Sequence, residues 1–220
     1  MGRQSDGESI DLDELRARLE QTDLIPSHRP LLDDIERRFA LLDQAGVSSV
    51  AGLQRQLKTA NSLEELAETS KVDADYLVLL KRTVRRFFPK PRALKDVHWL
   101  DQRVVPCLID AGINNTDQFT KAATNGIYRL EQQLHLSGGS LSDTAALCDL
   151  SVVQWVSPNF AGALIAAGYR TAEALAAADA QTLQTVTAND GSTSYRGNVG
   201  LRDIRRVIQA AGYVHWPDRD

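Results

Sequence analysis

Apolar residues recur along this chain at helical spacing, and several of the runs stop at the same three-residue signature. Leu12, Leu15 and Leu19 stand at i, i+3 and i+7 and predict a short amphipathic helix, with acids early and arginines late to suit its dipole. Leu31, Leu32, Ile35, Phe39 and Leu42 predict a second helix with one apolar face, ending at Ala45-Gly46-Val47. Glycine just past a last helical turn enters the left-handed conformation without a side-chain penalty, and the apolar residue after it folds back onto the helix. Ser49 then caps a helix carrying Val50, Leu53 and Leu57. The signature returns at Ala111-Gly112-Ile113, with Asn115 or Thr116 as the next cap, and at Ala167-Gly168-Tyr169, with Thr171. A last copy, Ala211-Gly212-Tyr213, meets Trp216-Pro217 before another helix can begin. Gly46, Gly112, Gly168 and Gly212 are therefore expected to be structural helix ends.

A longer register contains this signature. Leu94, Val97, Trp99, Leu108, Ile109, Ala111 and Gly112 reappear at the same spacing as Leu150, Val153, Trp155, Leu164, Ile165, Ala167 and Gly168. Trp99 and Trp155 hold equivalent positions and are expected to anchor the packing between units. A second recurring element lies between the hairpins: Ser62-Leu63, Ala67, Ser70, Val72 and Asp73 correspond to Ser140-Leu141, Ala145, Cys148, Leu150 and Ser151. Each copy predicts a short helix, a break, and a cap for a further helix, over 74–88 in the first and 152–156 in the second. Gly138-Gly139 and Asn189-Asp190-Gly191-Ser192 read as loops. The expected architecture is all-α, a compact array of tandem degenerate helical hairpins without strands. It divides into a polar tail and short helix over 1–23 and repeat units over 24–95, 96–156 and 157–220.

Composition narrows the possible tasks. With 43% apolar and 25% charged residues the chain is able to bury a core. A formal net charge of −4 does not draw the molecule as a whole to a polyanion. Cys107 and Cys148 sit inside apolar helical patterns and suggest buried thiols in a reducing compartment, without a disulfide framework. No signal-peptide core, membrane span or myristoylation pattern is present, and these absences predict a cytoplasmic protein that does not enter membranes. His28, His98, His135 and His215 lack metal-ligand spacing. The acidic clusters Asp11-Asp13-Glu14, Asp33-Asp34-Glu36 and Glu64-Glu65-Glu68 fall on outward helical positions. No Walker loop, nucleophile elbow or dinucleotide fingerprint occurs. No catalytic residue and no cofactor is expected.

Three segments are more specific: Ile25-Pro26-Ser27-His28-Arg29-Pro30-Leu31, Asp75-Tyr76-Leu77-Val78-Leu79-Leu80-Lys81-Arg82, and Phe88-Pro89-Lys90-Pro91-Arg92-Ala93-Leu94. Through them the chain, from about Leu24 to Ala211, resembles the helix-hairpin-helix-like family catalogued as domain of unknown function 4332. The resemblance implies an all-helical fold and brings no activity with it. In DNA-binding helix-hairpin-helix modules, glycines in the hairpin turn let backbone N–H groups approach a phosphate. The corresponding turns here, Leu100-Asp101-Gln102-Arg103 and Val156-Ser157-Pro158-Asn159, contain no glycine. Asp101 repels phosphate and Pro158 has no N–H.

The strongest charge signal lies elsewhere. Lys81, Arg82, Arg85, Arg86, Lys90, Arg92 and Lys95 place seven cations and no acid between residues 81 and 95, and without them the formal net charge becomes −11. Positions 81, 82, 85 and 86 share one helical face, with Val84, Phe87 and Phe88 on or near the other. Pro89 and Pro91 keep the following segment extended. A weaker anion site is expected where Arg196, Gly197 and Gly200 precede a helix with Arg202, Arg205 and Arg206. These features predict a non-catalytic helical-repeat module that contacts nucleic-acid phosphates through a basic face. The competing expectation is a protein-interaction scaffold that binds no nucleic acid.

Overall fold

The computed structural model describes residues 10–87, 89–189 and 199–214. They fall into two units, one within Gln4–Phe88 and one within Pro89–Asp220, each with its own apolar core. The described residues are helical and contain no strand, only two isolated antiparallel bridges. No described helix is long and apolar enough to cross a membrane.

The first unit comprises α1 (Leu12–Gln21), a 3-10 helix (Pro26–Leu32), α2 (Ile35–Gln44), α3 (Val50–Gln56), α4 (Ala60–Ser70) and α5 (Ala74–Phe87). Short polar side chains start most of these helices by taking up otherwise unpaired backbone N–H groups. Asp11 accepts from Glu14 N at 2.7 Å, Ser49 from Gly52 N at 3.1 Å, and Asp73 from Tyr76 N at 3.1 Å. Thr59 and Ser62 form a reciprocal capping box at α4. The apolar stripes close on a core that includes Leu15, Leu19, Leu31, Leu42, Leu53, Leu77 and Leu80.

The second unit comprises a 3-10 helix (Leu94–Asp96), α6 (Val104–Asp110), α7 (Thr116–Ala122), α8 (Ile127–Gln133), α9 (Ser142–Ser151), α10 (Pro158–Ala166), α11 (Ala172–Ala176), α12 (Ala180–Asn189) and α13 (Leu201–Gly212). Repeat spacing places divisions after residues 95 and 156. The apolar cluster of this unit nevertheless runs from Leu94 to Ala211 without a break at the second division. The loop expected over 189–192 begins at the last residue of α12, and its other residues lie outside the described chain.

Three of the four glycine signatures close as left-handed caps. Gly46, Gly112 and Gly168 have φ of 85°, 80° and 92°. The N–H groups of Val47, Ile113 and Tyr169 reach back five residues to Leu42 O, Leu108 O and Leu164 O at 3.1, 2.8 and 2.8 Å. These are the long bonds of a Schellman cap. Gly212 departs from the expectation: it is the last residue of α13, and the turn there is closed by Tyr213 N donating to Ala210 O at 3.2 Å. No atom stands within 4 Å of a side chain added at Gly112 or Gly168, so substitution there is opposed by backbone conformation alone. Gly112→Val and Gly168→Val should each lower stability by about 1–2 kcal/mol in denaturant titration. Unchanged midpoints would show that these turns do not need φ above zero.

Each hairpin turn also receives a partner from upstream. Val50 N donates to Ile10 O at 2.9 Å, and Thr116 N donates to Arg92 O at 3.0 Å. The two extended contacts, Asp11 with Ser49 and Ala93 with Asn115, are the isolated bridges. At the third turn the acceptor is a side chain, buried Asp149, whose Oδ2 accepts from Ala172 N at 3.0 Å. This substitution bears on the expected helix over 152–156, which does not form. The chain remains helical through Ser151 and then enters turns. Ser151 Oγ donates back to Cys148 O at 3.0 Å instead of capping a new helix.

Trp155 is the other departure. Its residue has φ of 69° and is 42% exposed, so it is not an anchor. Trp99 is half-buried, donates from Nε1 to Pro158 O at 2.9 Å, and lays its ring 3.0 Å from where a Gly162 side chain would begin. Gly162 stands six residues before Gly168, whereas the residue six before Gly212 is Arg206.

Candidate anion-binding face

Helix α5 sets out its cations by period. Tyr76, Leu77, Leu80, Thr83, Val84 and Phe87 are buried, which turns Arg82, Arg85 and Arg86 to solvent. Among the described residues no carboxylate forms an ion pair with these three arginines. Arg85 and Arg86 occupy the last turn of α5, where cations also offset the negative end of the helix dipole. Lys81 serves the fold: it is half-buried, and its Nζ donates to Lys58 O at 3.1 Å just beyond α3.

The other cations of the 81–95 run belong to the second unit. Lys90 and Lys95 are exposed. Arg92 is half-buried, with its backbone N accepted by Thr116 Oγ1 at 3.0 Å and its Nε enclosed. Arg92 therefore contributes to the turn pairing of α7 more than to a solvent face.

Around α5 the fold draws together two of the segments singled out in the sequence. Tyr76 O–H donates to Leu31 O at 3.1 Å, and burial pushes its pKa up to about 12 despite the Arg38 guanidinium 4.2 Å over its ring. Buried His28 places Nδ1 3.2 Å from Thr83 Oγ1. Its pKa is lowered by burial first, then by the charges of Arg86 and Arg82. Sequence reasoning set His28 aside for want of metal-ligand neighbours. The available signal was the threonine set among arginines on the α5 face, the residue His28 meets across the fold.

The weaker site at α13 is partly closed. Asp203 lies in the first turn of α13, and Arg206, with only 12% of its side chain exposed, pairs with it at 2.9 Å. Gly200 is the N-cap at φ −65°, while Arg202 and Arg205 are exposed. Arg196 and Gly197 lie outside the described residues.

The two hairpin turns are closed by their own side chains. Arg103 Nε and Nη2 donate to the Asp101 carboxylate at 3.1 and 2.7 Å, and these hydrogen bonds hold Asp101 down at about 2. Ser157 Oγ accepts from Phe160 N at 3.2 Å, occupying an amide that an anion would use. Among the described residues no three His, Cys, Asp or Glu side chains form a group able to hold a metal ion.

A family model described as Domain of unknown function (DUF4332) matches residues 102–213, which lie in the second unit and leave α5 outside the matched stretch. No curated protein and no solved structure matches the chain.

Proposed function

The chain belongs to the family described as Domain of unknown function (DUF4332), and with no activity to inherit from it we propose that this is a non-catalytic binding protein whose α5 contacts nucleic-acid phosphates. The observation that carries this reading is the face formed by Arg82, Arg85 and Arg86, exposed and without ion-paired carboxylates among the described residues. Guanidinium groups suit it because their planar donors match phosphate oxygens in pairs. Lys90 and Lys95 add exposed cations in the second unit. The hairpins of that unit are read as helix-hairpin-helix-like elements whose phosphate turn has been replaced by the Asp101–Arg103 pair and the Ser157 cap.

Binding of this kind releases counterions, so its affinity has a definite salt dependence. Titrating labelled duplex DNA, single-stranded DNA and RNA at increasing salt should give a log–log slope of roughly −2.7 for duplex if three phosphates are neutralised, at about −0.9 each. Absence of binding to all three at low salt would overturn the proposal. A protein-interaction scaffold is the second reading. Trp155 favours it, since a large aromatic residue held exposed at positive φ is costly unless a partner uses it.

A further inference from the structure

His28 lies beneath the arginine face, joined to α5 by a hydrogen bond to Thr83. Thr83 Oγ1 stands 3.2 Å from Leu79 O and 3.2 Å from His28 Nδ1. Whichever of the two donates across the His28 contact, a neutral imidazole keeps one nitrogen lone pair that can take a proton. Thr83 itself is flanked on α5 by Arg82 and, one turn on, by Arg86. The 3-10 helix that holds His28 packs on α5 and on α1. Arg29 is its charged neighbour on that helix. Arg82 and Arg86 face it from α5, and on α1 Arg18 is turned over the Phe87 ring at 4.2 Å. The two charges that act on the imidazole are both positive, and with burial they hold it neutral.

An anion seated on Arg82 and Arg86 changes that balance. Its negative charge offsets the two guanidiniums, and a proton from solvent can then be held on the imidazole. Resting on the phosphate-binding reading of this face, we propose that His28 is its proton switch: engagement of Arg82 and Arg86 by a phosphodiester draws a proton onto the His28 imidazole, so that binding tightens as pH falls. The coupling is reciprocal, since the proton must favour the anion by the same factor as the anion favours the proton. Affinity is independent of pH well above the His28 pKa of the complex, rises as pH falls through it, and levels off below the pKa of the free protein. A difference of one unit between the two gives about a tenfold gain.

The test uses the full chain and a labelled DNA duplex without terminal phosphates, at fixed ionic strength, from about pH 7.5 to about pH 5. Wild-type affinity should rise about tenfold across this range, and that of His28→Gln, whose amide keeps a donor for Thr83, should stay flat. In the wild type, the ring C–H resonance of His28 should titrate at higher pH with saturating DNA than without it. This second measurement decides the matter even if the variant does not fold. Equal pH dependence in both proteins, or a His28 titration unmoved by DNA, overturns the switch and leaves the phosphate face standing. No binding at any pH overturns both.

Discussion

Trp99→Ala is expected to lower stability by about 3 kcal/mol, near the lower end of the range for removing a packed aromatic side chain. The indole is half-buried, fills the space over Gly162 on α10, and ties Nε1 to Pro158 O at 2.9 Å. Its removal opens a cavity and also leaves that carbonyl with one partner fewer. Trp155→Ala, at the equivalent repeat position, should change stability by no more than about 0.5 kcal/mol, the range of surface substitutions. Chemical denaturation of the two variants side by side gives the comparison. Equal losses would mean that both tryptophans pack.

That contrast marks where sequence reasoning reaches its limit. The caps at Gly46, Gly112 and Gly168 were legible because every group in them lies within six residues, so the local pattern contains the whole interaction. Gly212 carries the same letters, but Tyr213 N reaches back to Ala210 O, and the glycine is the last residue of the helix. Trp155 was misread because repeat spacing does not record backbone conformation, and at φ 69° the residue is left 42% exposed. Likewise the outward face of α5 followed from its period, since burial of Tyr76, Leu80, Val84 and Phe87 leaves Arg82, Arg85 and Arg86 no other direction. The boundary between the two units falls beside Phe88, so Lys90, Arg92 and Lys95 belong to a different unit from Arg82, Arg85 and Arg86. Asp149 was invisible for a related reason: a side-chain oxygen replaces a backbone carbonyl in a contact that no residue pattern records.

Reversing Arg82, Arg85 and Arg86 to Glu should abolish nucleic-acid binding. Each substitution replaces a favourable phosphate contact with a like-charge contact, and the three lie on one exposed face. The fold should survive, because no described carboxylate forms an ion pair with these side chains and none contributes to the buried core. Acids in the last turn do oppose the helix dipole, so a melting point slightly below wild type is expected, at a cost of roughly 0.3–1 kcal/mol per terminal charge. Far-ultraviolet circular dichroism at room temperature should be unchanged. The neutral variant with Gln at the same three positions separates attraction from repulsion: it should bind weakly and with a flatter salt slope, while the Glu variant should not bind at low salt. Retention of wild-type affinity by the folded Glu variant would remove α5 from the interface. A wild type that binds no nucleic acid but loses a specific protein partner on the same reversals would instead establish the scaffold.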